Sequence, residues 1–98
     1  MYRDDPLDDE MELRAIIGDA AVDVLATSAA VAGDGRRTID VALDILRLLQ
    51  GWADDAAIAA WFTDSQRRLG GDAPVDVLAA GASDEVEDAA RAWVAARG

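Results

Sequence analysis

Carboxylates are the commonest reactive groups in this chain, and several stand in adjacent pairs: Asp4-Asp5, Asp8-Asp9, Asp54-Asp55 and Asp84-Glu85. General acid–base work requires two such groups converging on one substrate atom. Neighbours on a helix point about 100° apart, so these pairs diverge. Asp54 and Asp84 also fall where helices should begin, a place where an acid accepts backbone N–H bonds and complements the helix dipole. Capping and solvation account for the pairs. No loop carries the alternating acid and glycine spacing of a calcium site. Ser28, Ser65 and Ser83 have neither histidine nor lysine in the chain to activate them, and there is no cysteine to supply a thiolate. Gly70-Gly71 belongs to no phosphate-binding pattern. The expectation is a protein that is not an enzyme and uses no metal or cofactor.

What remains is recognition. The chain carries three tryptophans, Trp52, Trp61 and Trp93, and an adjacent basic pair, Arg67-Arg68. Tryptophan and arginine are the residues most enriched at interface hot spots, although each tryptophan also reads as core and the arginine pair as surface ion pairs. Charge narrows the partner. Twenty acidic residues against nine basic ones, all arginine, give a net charge of −11 and a pI near 4.1. Such a surface repels nucleic-acid phosphates and anionic lipid headgroups and attracts basic protein surfaces. It equally suits solubility in a salty cytoplasm. The acidic N-terminus resembles no signal peptide, and no apolar run is long enough for a membrane span. A cytoplasmic protein is expected.

The elements that must position these residues read as helices. Hydrophobic residues make up 52% of the chain and alanine dominates them, which favours an all-α fold. Residues 1–9, with four aspartates and a proline, read as an acidic, flexible lead-in, and residues 10–98 as a single domain. Leu13, Ile16, Ile17, Ala20, Val24 and Val31 recur at helical spacing. They predict one amphipathic helix of about six turns, ended by Gly33-Asp34-Gly35. Thr38 is expected to cap the next helix, residues 38–50. Its nearly all-apolar circumference marks it as the spine of the fold. Asp54 should cap a shorter helix through Trp61 and Phe62, Pro74 should open another ending at Gly81, and a last helix should start at Ser83 or Asp84. The fold class is all-α, a small bundle of about five helices.

From Thr38 onward, residues 38–98, the chain resembles the toxin-binding domain of the MbcA/ParS/Xre antitoxin family. The resemblance rests on the stretch from Trp61 to Leu78, in which Trp61, Leu69, Gly71, Pro74, Asp76 and Leu78 match the family pattern without a gap. Gly81 and Val86 suit its glycine-terminated turn before the last helix. Two departures stand out: Ser65-Gln66 replace the usual Pro-Asn, and the stretch ahead of Thr38 shows no helix-turn-helix with a basic recognition helix. DNA binding is therefore not carried over.

The resemblance implies an antitoxin that neutralises a RES-domain toxin, an enzyme that depletes NAD, by covering its active site. A site that binds the NAD pyrophosphate should be basic, so an acidic partner suits it. The partner-binding residues so implied are Trp61, Arg67, Arg68, Leu69 and Asp76, with Arg91, Trp93, Arg97 and the terminal carboxylate reaching the toxin's entrance. Pro74, Gly71 and Leu78 read as structural. The alternatives are an interaction or dimerisation module unrelated to toxins, alone or as a hetero-oligomer, and an oligomeric transcriptional regulator.

Overall fold

The computed structural model describes residues 6–31 and 33–97. These form six α-helices: α1 (Pro6–Ile17), α2 (Asp19–Thr27), α3 (Thr38–Gln50), α4 (Asp55–Thr63), α5 (Pro74–Ala79) and α6 (Ser83–Arg97), with a single 3₁₀ turn at Arg67–Leu69 between α4 and α5. No strand is present among the described residues. One isolated antiparallel bridge, Val31 to Arg37, closes the loop before α3. No described helix is long and apolar enough to cross a membrane.

The expected spine is borne out. Helix α3 packs against each of the other five helices. It buries Ile39, Val41, Ala42, Ile45, Leu46 and Leu49, and its polar stripe of Asp40, Asp44 and Arg47 is left for ion pairs. Around it close Leu13 and Ile17 from α1, Val22 and Leu25 from α2, Ile58, Trp61 and Phe62 from α4, and Val86, Ala89 and Ala90 from α6. Burial of this apolar surface is the main favourable term for the fold.

The single long first helix is not what forms. It breaks at Gly18, whose φ of 97° lies in the region open to glycine but strained for other residues. The break turns α2 about its axis relative to α1. Leu13 and Ile17 stay on the core side, but Val22 and Leu25 then face inward, and Ala20, Val24 and Val31 are exposed. Arg14 spans the break, holding Glu10 in its own helix and Asp19 and Asp23 of α2 at 3.4, 3.6 and 2.9 Å. Helix α2 ends at Thr27, well before Gly33.

Residues 6–9 of the expected lead-in form the first turn of α1. Pro6 occupies a first-turn position, where its missing N–H has no intrahelical acceptor to lose. The carboxylates of Asp9 and Glu12 hold Arg47 of α3 at 2.7 and 2.9 Å. Residues 1–5 lie outside the described residues.

Thr38 does not cap α3. Arg37 occupies the cap position without a side-chain bond, and the Thr38 hydroxyl, only 2% exposed, donates to the Ala30 carbonyl at 3.1 Å. A buried hydroxyl without an acceptor is costly, and the loop carbonyl satisfies it. Asp54 does cap α4, its carboxylate accepting from the Ala57 N–H at 2.9 Å. The expected starts at Pro74 and Ser83 are also found.

Candidate partner-binding groove

Helix α4 ends at Thr63 and the chain runs extended through Asp64. The connection to α5 is organised by Gln66. Its N–H donates to the Asp72 carbonyl at 3.1 Å, and its carbonyl accepts from Leu69 and Gly71, each at 3.0 Å. Its side-chain amide donates back to the Trp61 carbonyl at 3.0 Å. The turn closes through Gly70 and Gly71, both left-handed at φ 72° and 92°, a pair that side-chain-bearing residues adopt only at a cost. Gln66 therefore closes the loop with no proline in it.

Within a 3₁₀ turn successive side chains point about 120° apart. Leu69 is driven inward to 8% exposure by its contact with the core, which leaves Arg67 and Arg68 both outside. Trp61 lies beneath them, 3% exposed, with its ring edge-on to Phe62 at 5.3 Å and 84°. Edge-to-face geometry favours such an aromatic pair beyond its buried area.

Helix α6 supplies the facing wall. Ala89, Ala92 and Ala96 fall on one side of it at three- and four-residue spacing, and Trp93 stands half-buried among them. Small side chains on α6 opposite the arginine wall leave a groove of about 250 Å³, with Trp61 in its lining and Gln66, Arg67 and Arg68 opposite Trp93. The Arg97 guanidinium sits over the Trp93 ring, 4.3 Å from its centroid, a cation–π contact at i,i+4 spacing.

The groove thus gathers Trp61, Arg67, Arg68 and Trp93, while Arg97, outside the lining, sits over the ring of Trp93. Leu69 lines an adjoining depression shared with Arg68, Glu85 and Asp88. Two of the expected residues stand apart. Asp76 is exposed on α5 and lines no part of the groove. Arg91 points to a different face of α6, pairs with Asp88 at 3.3 Å and borders a hollow with Asp44, Leu48 and Glu87. The terminal carboxylate lies outside the described residues. Trp52 is 51% exposed at the turn after α3, away from the groove lining.

Charge is distributed unevenly. Arg14, Arg36, Arg37, Arg47 and Arg91 each have a carboxylate within 4 Å. Arg36 has three, from Asp34, Asp44 and Glu87 at 2.7, 2.8 and 3.1 Å, and so ties the loop before α3 to both α3 and α6. Glu87 foremost, then Asp44, hold its guanidinium firmly in the charged form. Among the described residues Arg67, Arg68 and Arg97 have no carboxylate partner; Arg67 and Arg68 line the groove, and Arg97 contacts Trp93 of its lining.

Sequence reasoning missed two parts of the groove and one tie of the fold behind it. Gln66 was visible only as a departure from a pattern, and its role depends on the backbone folding around it. The alanine wall was present as small residues at positions 89, 92 and 96, which alanine richness elsewhere obscures. Arg36 gave no signal, because its partners come from three separate segments. Among the described residues no three acids cluster as metal ligands would. Comparison with protein-family models, curated proteins and solved structures finds no match to this chain.

Proposed function

We propose that this chain acts by binding a protein partner and catalyses nothing, and that the partner is a RES-type, NAD-depleting toxin in the cytoplasm, held inactive by coverage of its active site. The observation that carries the reading is the groove. Four residues that the antitoxin resemblance implied for binding, Trp61, Arg67, Arg68 and Trp93, meet there although they come from α4, the 3₁₀ turn and α6, and a fifth, Arg97, sits on the Trp93 ring. Aromatic anchors flanked by arginines are the composition of interface hot spots. The −11 charge supports the same reading at longer range, since it raises the encounter rate with a basic active-site mouth. Helix α6, whose end borders the groove, is the element that would reach that mouth.

The test is growth rescue. The gene adjacent to this one is expressed alone and with this chain while total NAD is followed. Toxicity with NAD loss, abolished by this protein and restored when Trp93→Ala is combined with removal of Arg97, supports the reading. A harmless neighbour, or one that stays toxic beside this chain, sinks it. One observation favours a second reading, a dimerisation module: the large exposed ring of Trp52, which a second copy could cover. Concentration-dependent sedimentation of the isolated chain, lost in Trp52→Ser, would speak for it.

A further inference from the structure

The overall acidity points to a basic partner, but the groove points the other way. We infer that the groove between the Arg67–Leu69 turn and α6 docks a short protein segment that is both acidic and apolar, its carboxylates pairing with Arg67, Arg68 and Arg97 and its apolar side chains seated on Trp93 and the alanine wall. This rests on the reading that the groove is the partner surface, and not on the partner being a toxin.

The argument is one of exclusion within a single site. In a chain with twenty acids and nine arginines, carboxylates are abundant enough to pair every arginine. Five of the described arginines are so paired; of the three that are not, Arg67 and Arg68 line the groove and Arg97 lies on the ring of Trp93, which lines it too. The two acids of the depression beside Arg68 do not serve them. Asp88 is engaged with Arg91, and Glu85 faces the depression beside Leu69 without reaching Arg68 within 4 Å. A purely apolar ligand would press against Trp93 and desolvate guanidiniums that have no counter-charge, which is costly. A purely anionic ligand would leave the alanine wall and the Trp93 ring uncovered. Only a mixed segment satisfies both walls. A nucleic acid would satisfy the arginines but bring its whole phosphate backbone against a −11 surface. Carboxylate–guanidinium pairs are charge-assisted and can be bidentate, and along an exposed groove wall they fix register more than affinity. The wider acidic surface then governs encounter, and the groove governs where the partner stops.

The two forces give opposite signs for one variant. Arg67→Glu with Arg68→Glu makes the protein four charges more negative, which strengthens attraction to a basic partner and weakens capture of an acidic segment. The probe is a capped peptide of leucines and glutamates at helical spacing, titrated into the full chain and followed by the indole N–H signal of Trp93 and the Nε–H signals of Arg67 and Arg68. Those signals should shift with this peptide, and binding should fall at least about tenfold in the double variant and with the peptide carrying glutamine in place of glutamate. Groove signals that stay still, a lysine-bearing peptide that binds there equally well, or a double variant that binds undiminished would each overturn the inference. A short duplex DNA that shifts the same signals would overturn it in favour of nucleic acid. Because the peptide arm contains no toxin, failure of growth rescue leaves this result standing, and failure of the peptide leaves rescue to be judged alone.

Discussion

Arg36 and the Arg67-Arg68 pair show two uses of one side chain in the same acidic protein. Arg36 is enclosed by carboxylates from the loop before α3, from α3 and from α6, so all of its charge is directed inward to the fold. Arg67 and Arg68 sit on a rigid turn with no carboxylate partner among the described residues, and their donors face out over a groove. The difference lies in geometry rather than supply, since acids outnumber arginines throughout. Leu69 anchors the turn and thereby fixes both arginines outside, whereas Arg36 follows a loop that closes back on its partners. An arginine tied to several segments stabilises, and an arginine held away from its own acids is available to another molecule.

The contrast is tested most severely at Trp61, which is core and groove lining at once. Trp61→Ala should cost about 3–5 kcal/mol of stability, read from urea unfolding, because it empties a site packed against Phe62. Partner binding should be lost with it. If Trp61→Ala folds with near-normal stability, the groove is not built on the core and the comparison fails. Next in size is Arg67→Glu with Arg68→Glu. Partner affinity should fall about ten- to a hundredfold, while the unfolding free energy moves by no more than about 0.5 kcal/mol. Arg36→Gln should show the converse pattern: a lower Tm, a loss that shrinks as salt is added, and unchanged partner affinity. If both arginine variants change stability and binding together, there are not two classes of arginine here.

Much of this was legible before any coordinates. The α3 spine followed from an apolar circumference with one polar stripe, and the start of α4 from a single aspartate, because those signals are local. The break at Gly18 was not legible. The apolar stripe from Leu13 to Val31 is continuous on paper, and a lone glycine in a helical pattern is tolerated often enough to be passed over. Only the burial of Val22 and Leu25 in place of Ala20 and Val24 reveals the change of register. For the groove, residue type picked out Trp61, Trp93 and the Arg67-Arg68 pair, together with Trp52, which lies elsewhere, and Arg97 came only with the family resemblance. Asp76 and Arg91 were drawn in by pattern and by neighbourhood along α6, where one step turns a side chain to another face. What the sequence could not supply was the pairing of every other described arginine, which depends on contacts between distant segments.

The smallest effect expected concerns Glu12, a staple of the Arg36 kind. Its carboxylate accepts from Gln50 at 2.7 Å and from Arg47 at 2.9 Å, and these bonds, with Gln50 first, hold its pKa below the ordinary 4.5. A carboxylate whose pKa is lower folded than unfolded stabilises the fold fully above the unfolded value, and that contribution is lost as pH falls through the folded one. Wild type should therefore exceed Glu12→Gln in Tm at pH 7, and the gap should close as the pH is taken below 4.5. Comparing the two proteins at each pH matters, because protonation of the other acids also relieves the repulsion within a −11 chain and moves both curves alike. A gap that stays constant down to low pH would mean that Glu12 contributes only packing. The Glu12–Arg47 tie would then not be a charge staple, and the class to which Arg36 is assigned would shrink to the cluster around Glu87 and the Arg14 ties across the Gly18 break.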